Sequence, residues 1–294
     1  MKAAIIGVNG QLGSDLAEAF RLSGAQVFGL THADIAVEDF ASVQKALAAI
    51  RPDVVLNTAA YHVVPKCEVE PNRAYLVNAV GPLNIARVCN AWGGLSVYYS
   101  TDYVFDGAKK TPYVEDDRPN PLNVYAVTKL AGELHTLNQA REGVVLRVSG
   151  LYGKVPCRAK GGNFITTMIN AARDRPEVRV VADEFLSPTA TTAVAQKTIE
   201  ILKAGATGLF HLVSQGYCSW YEFAQVIFDT LGFTTPLLQA RAQDFPASVR
   251  RPAFSPLSNS RLATLGLSPM PGWRESLVEF LKVNPDVTSS AGRH

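Results

Sequence analysis

The sequence Ala3-Ala4-Ile5-Ile6-Gly7-Val8-Asn9-Gly10-Gln11-Leu12-Gly13 joins a short apolar run to three glycines that recur every third residue. The apolar run is typical of a strand buried on both faces of a parallel sheet, and an amphipathic helix follows the last glycine. Glycines at such a junction permit a tight turn and let backbone N–H groups approach a pyrophosphate at the helix N-terminus. The spacing differs from Gly-x-Gly-x-x-Gly, but its position between strand and helix predicts dinucleotide binding. The predicted contacts are Gly7, Gly10, Gln11, Leu12 and Gly13.

Strands and helices alternate after this turn, up to about residue 150. Such alternation is the pattern of an α/β protein with a Rossmann-type, doubly wound parallel sheet. The predicted strands are 26–30, 53–57, 95–100 and 144–148, and the predicted helices are 41–50, about 70–92, and one that carries Tyr125 and Lys129.

The pattern changes beyond residue 150, where shorter strands and helices are predicted around loops. We expect residues 1–150 to form the dinucleotide-binding domain, with a later return of the chain near 185–212. Residues 151–284 are expected to form mainly a smaller C-terminal α/β domain that binds substrate over the carboxyl edge of the sheet. Residues 285–294 are predicted to be a disordered tail.

The end of the second strand bears on the choice of cofactor. Sites specific for NAD usually carry an acidic residue there, which binds the ribose 2′-hydroxyl. Thr31 and His32 occupy this place, and neither would repel a 2′-phosphate. NADP(H) is therefore the expected cofactor, and NAD(H) stays open. Asp34 and Ile35 follow as predicted cofactor contacts, although Asp34 also suits the N-terminal cap of the next helix.

The third strand ends in small residues at the sheet edge where ligands bind. Ala59, Ala60 and Tyr61 are predicted to approach the cofactor because small side chains let a ribose or adenine reach the backbone. Asn78 lies in the following helical stretch. It is predicted either to brace two strands or to help position the active-site chain, and we include it among the cofactor-site residues.

Tyr125 and Lys129 are four residues apart, which places both side chains on one face of a helix. A phenol has an ordinary pKa of about 10, and a nearby ammonium group favours the phenolate. The pair therefore predicts a proton donor or acceptor for a carbonyl or alcohol. Thr101, at the end of the fourth strand, is predicted to hydrogen-bond the same substrate oxygen, unless the hydroxyl caps a turn.

Composition excludes several classes of protein. The net charge of +2 gives no reason to expect nucleic acid or an anionic membrane as a partner, and no apolar run is long enough to cross a bilayer. Four scattered cysteines without a Cys-x-x-Cys pair suggest reduced thiols and a cytoplasmic location. No His, Asp or Glu cluster has metal-ligand spacing, so no metal site is expected.

The motifs together resemble those of the extended short-chain dehydrogenases/reductases, and within them the dTDP-4-dehydrorhamnose reductase family. The resemblance covers about residues 1–282. It is carried by Gly7 to Gly13, Ser100 to Gly107, Pro121 to Glu133, Gly162-Asn163-Phe164, Ser187-Pro188-Thr189, Ser219 to Ala224, and Arg251-Pro252 with Ser255.

The resemblance implies reduction by NAD(P)H of the C4 keto group of a nucleotide-linked 4-keto-6-deoxy sugar, with dTDP-4-dehydro-L-rhamnose becoming dTDP-L-rhamnose. By carry-over, Tyr125 protonates the C4 oxygen, Thr101 hydrogen-bonds it, and Lys129 holds the nicotinamide ribose and lowers the Tyr125 pKa. A homodimer is also implied. The substrate-binding residues implied in this way are Val64, Thr101, Asp102, Gly150, Asn163 and Arg251.

Two positions depart from the family pattern, and both are on the sugar side. Gly150 stands where the family usually has a pocket-lining Trp, and Pro65 stands where it has a pocket Asp. Losing a ring-sized wall and a carboxylate is expected to alter selectivity, since one missing polar partner changes discrimination strongly. The sugar, or the position reduced, is therefore left open.

Three alternative functions share parts of this pattern. A nucleotide-sugar dehydratase needs an acid beside Asp102, where Tyr103 stands. An epimerase would retain tightly bound NAD and consume no NADPH. A non-catalytic regulatory subunit, as in the methionine adenosyltransferase beta subunit, would bind a synthetase and lack reductase activity.

Overall fold

The computed structural model describes residues 1–157, 159, 161–246, 249–285 and 287. The first part of the chain alternates strands with helices. In chain order its elements are β1 (Lys2–Ile6), α1 (Gln11–Leu22), β2 (Gln26–Leu30), α2 (Phe40–Ala48), β3 (Val54–Asn57), α3 (Val64–Val69), α4 (Pro71–Tyr75), a π-helical segment (Leu76–Val80), α5 (Gly81–Cys89), β4 (Leu95–Thr101), a 3₁₀ turn (Asp102–Val104), α6 (Val124–Gln139) and β5 (Gly143–Val148).

The second part has longer helices separated by short strands. Two of these helices begin with capping boxes, Asn163 with Thr166 and Ser219 with Glu222, in which side chains satisfy the first backbone N–H groups. The elements are β6 (Leu151–Tyr152), α7 (Phe164–Asp174), β7 (Val178–Val181), β8 (Phe185–Leu186), β9 (Thr189–Ala190), α8 (Thr191–Lys203), β10 (Gly208–His211), β11 (Cys218–Ser219), α9 (Trp220–Leu231), β12 (Leu237–Ala240), a 3₁₀ turn (Ala242–Asp244), α10 (Ser260–Thr264) and α11 (Trp273–Val283).

Six strands form the main sheet in the order β10-β5-β4-β3-β1-β2, and every neighbouring pair is parallel. β3 and β5 are buried at every residue, as expected of strands covered by helices on both faces. The Rossmann-type α/β fold predicted from the sequence is therefore confirmed. Ile6, at the end of β1, pairs with Leu30 on one side and Asn57 on the other, so the glycine turn after β1 lies at the carboxyl edge between β2 and β3.

Apolar clusters lie on both sides of the sheet and in the C-terminal part. Leu16 and Phe20 of α1 are buried in one cluster, and Ile85 of α5 is buried in another. A third cluster gathers Phe223 and Phe280 from the C-terminal helices. Fully burying one such side chain stabilises the fold by about 1.5–3 kcal/mol. The predicted division into two domains near residue 150 stays a prediction.

The long helical stretch predicted over about residues 70–92 is continuous from Pro71 to Cys89, but its middle is a π-helical segment. Pro82 has no N–H, so it cannot donate to the carbonyl of Asn78 four residues earlier. The Tyr98 hydroxyl donates to that carbonyl instead, at 2.9 Å. The stretch is accordingly divided into α4, the π-helical segment and α5.

The predicted disordered tail, residues 285–294, lies mostly outside the described residues. Pro285 and Val287 are described, and the Val287 side chain is buried in the C-terminal cluster. Among the described residues, no helix is both long and apolar enough to span a membrane.

Candidate active site

A cavity of about 1070 Å³ lies at the carboxyl edge of the main sheet and is lined by both parts of the chain. Ligands of open parallel sheets bind at this edge, next to the point where strand order reverses. Four of the predicted site residues, Asp34, Tyr61, Asn78 and Arg251, are not among its lining residues. The predicted residues that do line it are Gly7, Gly10, Gln11, Leu12, Gly13, Ile35, Ala59, Ala60, Val64, Thr101, Asp102, Tyr125, Lys129, Gly150 and Asn163.

The glycine turn forms a narrow cradle at one end of the cavity. Gly7 has a φ of +81°, a conformation that favours glycine. A Cβ on Gly13 would overlap the Gly7 carbonyl oxygen, so the helix comes closer to the turn than any other residue would allow. Gly10 is the N-cap of α1 and supplies no side chain to the first N–H groups of the helix. The cradle therefore presents backbone donors to an anion.

The end of β2 presents no carboxylate to the cavity. Thr31 and His32 line it, whereas the Asp34 carboxylate turns back and accepts hydrogen bonds from the backbone N–H and hydroxyl of Thr31, at 2.8 and 2.7 Å. These bonds hold the Asp34 pKa below its usual range. The cofactor contact predicted for Asp34 stays a prediction, and this carboxylate is already bound to Thr31. The alternative of Asp34 as a helix cap is wrong, because Asp39 caps α2.

Asn78 and Tyr61 lie behind the cavity wall rather than in it. The Asn78 side chain is fully buried and accepts from the Tyr61 N–H while donating to the Tyr61 carbonyl, at 2.8 and 2.9 Å. It also donates to the Thr128 hydroxyl at 3.0 Å. Asn78 therefore links the loop after β3 to α6 rather than bracing two strands, and its role in positioning the active-site residues stays a prediction. The direct cofactor contacts predicted for Asn78 and Tyr61 also stay predictions.

Helix α6 brings Tyr125 and Lys129 to the cavity beside Thr101, the last residue of β4. The Asn123 side chain caps α6 and fixes where the helix begins. Thr101 is hydrogen-bonded to the Tyr125 hydroxyl, and its oxygen also accepts from the Tyr103 N–H at 3.2 Å. The residues predicted as catalytic thus lie in one place. Thr101 caps the turn, as one of its two predicted roles proposed, and its hydrogen bond to a substrate oxygen stays a prediction.

Burial controls the titration of this group. It raises the pKa of Tyr125 well above the ordinary value for a phenol, although the Thr101 hydrogen bond opposes the rise. Burial also lowers the pKa of Lys129 to about 7, against the attraction of Glu133. The expected lowering of the Tyr125 pKa by Lys129 is therefore wrong for the chain by itself. Desolvation is the largest cause of the rise and nearby Asp102 adds to it, so Tyr125 is a neutral phenol near neutrality.

Contacts with β4 of the main sheet hold the Lys129 ammonium in place. Nζ donates to the Tyr99 carbonyl at 2.6 Å and lies 4.0 Å from the centre of the Tyr98 ring. These contacts fix the position of the ammonium while one side of it faces the cavity. A positively charged donor at this depth suits the hydroxyl groups of a bound sugar or ribose.

Asp102 lines the cavity, but its carboxylate already accepts hydrogen bonds from three hydroxyl groups. The hydroxyls of Ser255, Ser149 and Thr101 donate to it at 2.6, 2.9 and 3.1 Å. Burial raises its pKa, and the three hydroxyls oppose that rise. Asp102 therefore ties the ends of β4 and β5 to the C-terminal segment.

Gly150 and Pro65, the two positions that depart from the family pattern, have different surroundings in the structure. Gly150 has a φ of +52°, and a Cβ there would approach Leu186 Cδ1 to 2.6 Å. Leu186 thus occupies the space beside Gly150 and forms that wall of the cavity. Pro65 lies in the first turn of α3, where a proline is well tolerated, and it does not line the cavity.

The C-terminal part closes the cavity with residues that the sequence did not mark as site residues. Phe164 and Trp220 lie with ring centroids 4.6 Å apart, and Glu184 lines the same end. Burial raises the Glu184 pKa while the Arg251 guanidinium opposes the rise. Arg251 is exposed near this rim. Trp220 lies within the Ser219 to Ala224 motif, and the capping box at the start of α9 is a second sequence signal at this place.

Asn163 connects the two ends of the cavity. Its amide donates to the Gln11 side chain at 3.1 Å, and Gln11 in turn donates to the Leu151 carbonyl at 3.0 Å. The glycine turn is thereby tied to the start of α7. Among the residues that the structure describes, no cluster of His, Cys, Asp and Glu could hold a metal ion.

Comparison with known proteins agrees with this geometry. The model of the RmlD substrate binding domain family matches residues 1–284. The spore coat polysaccharide biosynthesis protein SpsK of Bacillus subtilis is 35% identical over 281 residues, covering 96% of this chain and 97% of that protein. The dTDP-4-dehydrorhamnose reductase of Burkholderia thailandensis is 35% identical over 291 residues, covering 93% and 96%.

A solved structure of dTDP-4-dehydrorhamnose reductase from Bacillus anthracis in complex with NADP superposes with a TM-score of 0.91. It is 33% identical, and the match covers 96% of this chain and 99% of that one. The resemblance predicted from the sequence motifs is confirmed by these matches. The chain belongs to the RmlD substrate binding domain family.

Proposed function

We propose that this protein is an NAD(P)H-dependent reductase of the C4 keto group of a nucleotide-linked 4-keto-6-deoxy sugar, converting dTDP-4-dehydro-L-rhamnose to dTDP-L-rhamnose. One observation carries the proposal. The hydrogen-bonded Thr101 and Tyr125 hydroxyls line the same cavity as the glycine cradle. A proton donor therefore shares one chamber with a site for a dinucleotide.

The residues present fit NADP(H). The glycine cradle leaves room for a pyrophosphate against the backbone, and α1 directs its N-terminus towards it. Thr31 and His32 line the region expected for the adenine ribose, without a carboxylate to repel a 2′-phosphate. The Bacillus anthracis relative was solved with NADP. We expect turnover with NADPH, and failure with NADPH but activity with NADH would contradict this reasoning.

Protonation of the substrate oxygen falls to Tyr125. The bound cofactor supplies a hydride to the sugar C4, which leaves negative charge on the carbonyl oxygen. Tyr125 donates its phenolic proton to that oxygen, and burial favours this role because it keeps the phenol protonated. Thr101, whose hydroxyl contacts the same phenol, donates a hydrogen bond to the developing charge.

Lys129 positions the cofactor and balances charge. Its ammonium is fixed by the Tyr99 carbonyl and faces the cavity, where it would donate to the nicotinamide ribose hydroxyls. Once the proton leaves Tyr125, the same ammonium attracts the phenolate. Lys129 thus supports the charged state of Tyr125 that forms during the reaction.

The sugar side of the cavity decides the substrate. Val64, Asp102, Gly150 and Asn163 line it, and Arg251 lies at its rim near Glu184. We propose that these residues contact the nucleotide sugar, with the Arg251 guanidinium suited to the diphosphate. Because Leu186 forms the wall beside Gly150, reduction of a different 4-keto sugar nucleotide is the second candidate function.

A spectrophotometric assay of NADPH oxidation tests the function. Purified protein is given dTDP-4-dehydrorhamnose and, separately, other 4-keto sugar nucleotides, with a reaction lacking sugar as control. Substrate-dependent loss of NADPH absorbance is expected for dTDP-4-dehydrorhamnose. Activity restricted to another sugar would favour the second candidate. No NADPH use with any of them, together with tightly bound NAD, would favour an epimerase instead.

We further propose that the enzyme works in the cytoplasm as a homodimer on a nucleotide-sugar substrate, without nucleic acid or membrane as a partner. The net charge of +2 supports the absence of a nucleic-acid partner. Light scattering of the purified protein would test the dimer, for which a mass of twice 31.7 kDa is expected.

A further inference from the structure

His62 and Cys157 form a close pair that the reductase mechanism does not use. The imidazole Nε2 lies 3.1 Å from the Cys157 Sγ, although the two residues are 95 positions apart in the chain. The other ring nitrogen, Nδ1, lies 3.1 Å from the Ala60 carbonyl. A carbonyl oxygen only accepts, so Nδ1 carries the hydrogen and Nε2 of the neutral ring is an acceptor. The thiol therefore donates its hydrogen to Nε2.

The pair lies in the wall of the candidate active site. Both side chains line the cavity that also contains Thr101 and Tyr125. His62 belongs to the loop after β3, and Cys157 belongs to the loop between β6 and α7. That second loop is closed by the Gly162 N–H, which donates to the Cys157 carbonyl at 3.2 Å. A group added to the sulfur would thus project into space that the substrates need.

Cys157 differs from the other cysteines in exposure. It is half-buried, whereas the other three are buried within the core clusters or behind them. Burial raises the pKa of the Cys67 thiol to about 11 and that of Cys89 to about 12. A reactive thiol requires both access and a base that accepts its proton. Cys157 has both, through the cavity and His62.

After proton transfer from Cys157 to His62, both side chains still have hydrogen-bond partners. When the Sγ–H proton moves to Nε2, the imidazolium keeps its Nδ1–H bond to Ala60 and gains an Nε2–H donor facing the thiolate. A thiolate stabilised by an imidazolium is the activated form of a cysteine nucleophile. The arrangement is built by two separate loops and is more than an isolated cysteine on a surface.

We propose that Cys157, activated by His62, is a modification site through which hydroperoxides switch the active site off. The thiolate attacks one peroxide oxygen, an S–O bond forms and the O–O bond breaks. Sulfur is oxidised to a sulfenic acid, and the peroxide is reduced to hydroxide, or water, using the imidazolium proton. The oxidised sulfur then occupies part of the cavity until a thiol reduces it.

Selective alkylation tests the reactivity without relying on enzyme activity. The full-length protein is treated with limiting iodoacetamide at pH 7, and labelling of each cysteine is followed by peptide mass spectrometry. Labelling of Cys157 is expected to be at least about tenfold faster than that of Cys67, Cys89 or Cys218. Saturating NADP⁺ should slow it. Equal rates for all four cysteines would overturn the proposal.

A variant comparison tests the role of the base. His62→Ala is expected to slow Cys157 labelling about tenfold, whereas the matched control His135→Ala on α6 leaves the rate unchanged. An unchanged rate in folded His62→Ala would overturn activation by His62. If that variant does not fold, His62→Gln replaces it, because its amide preserves polarity but is not a base.

Oxidation tests the consequence, which rests on the proposed reductase activity. Brief treatment with hydrogen peroxide should inactivate the enzyme, give a dimedone adduct on Cys157, and be reversed by dithiothreitol. Cys157→Ser should keep activity and resist peroxide. Equal inactivation of Cys157→Ser would contradict the switch. Absence of reductase activity in untreated protein would count against the proposed function, while the alkylation result would still decide the reactivity of Cys157.

Discussion

Burial sets the protonation states of Tyr125 and Lys129, and the two effects have opposite signs. It keeps the Tyr125 phenol neutral and makes the Lys129 ammonium easier to deprotonate. A neutral phenol is the form that a reductase needs in order to donate a proton. Lys129, in contrast, must hold its charge in a nearly dry position, with the Tyr99 carbonyl as its hydrogen-bond acceptor.

The pH dependence of the reaction should follow the titration of the Lys129 ammonium. Its pKa is about 7, so the ammonium that we propose binds the cofactor is present below that pH and is lost above it. We expect kcat/KM for NADPH to fall as pH rises from 7 to 9, by roughly tenfold per pH unit at the upper end. Lys129→Met should be slow and nearly independent of pH. A flat wild-type profile between pH 6 and 9 would contradict the assignment.

Lys129→Met should also stabilise the fold, because it removes a charge from a buried position. The folded-state pKa is lowered from 10.5 to about 7, so the unfolded chain binds the extra proton between these values. The cost of burying the charge is complete below pH 7, shrinks as pH rises, and disappears near pH 10.5. We expect the free energy of unfolding to rise by about 1 kcal/mol or more at pH 7.

Urea unfolding at pH 6.5 and pH 9 would measure this effect, with the wild-type protein compared at each pH. The gain in Lys129→Met should be larger at pH 6.5. A variant that is less stable than wild type at pH 6.5 would show that the contacts of the ammonium outweigh its desolvation.

The π-helical segment around Asn78 connects two elements of the site. Pro82 cannot donate to the Asn78 carbonyl, and the Asn78 side chain is hydrogen-bonded to the loop after β3 and to α6. Gly132 of α6 allows this approach, since a Cβ there would overlap the Asn78 carbonyl oxygen. The element that carries Tyr125 is thus held against the loop that carries Ala59 and Ala60.

Asn78→Ala should therefore cost both stability and activity. The variant leaves the Tyr61 N–H without its partner, which costs about 1–3 kcal/mol, while the Tyr61 carbonyl keeps its hydrogen bond from the Cys67 thiol. We expect the free energy of unfolding to fall by about 1–3 kcal/mol and kcat to fall as α6 loosens. Asn138→Ala, on the exposed face of α6, is the matched control and should change the free energy of unfolding by less than about 0.5 kcal/mol. Equal effects of the two variants, measured by urea unfolding, would contradict the brace.

At the scale of the whole molecule, the active site depends on contacts between distant parts of the chain. The sheet and the glycine turn could be predicted because their signals are local: apolar runs, glycine spacing and helix periodicity. Tyr125 and Lys129 could be paired because a single helical turn separates them. The Rossmann-type fold followed from that local pattern, whereas the order of the strands is seen only in the structure.

The remaining site features depend on distances that the sequence does not encode locally. Asp34 follows the strand end where a cofactor carboxylate is usual, and its short side chain binds Thr31, three residues back. The bracing role of Asn78 requires a contact with Thr128, fifty residues away. The His62–Cys157 pair and the wall made by Leu186 likewise appear only once the C-terminal part folds over the sheet edge.

We propose that Tyr125 protonates the substrate oxygen and contributes little to the affinity for the cofactor. The direct test is Tyr125→Phe, with kcat measured by NADPH oxidation and the NADPH Kd measured by fluorescence titration. The exposed Tyr75→Phe serves as control. We expect kcat to fall by about 10²–10⁴-fold in Tyr125→Phe while the Kd changes by less than about threefold. A Tyr125→Phe enzyme with near-normal kcat would contradict the account.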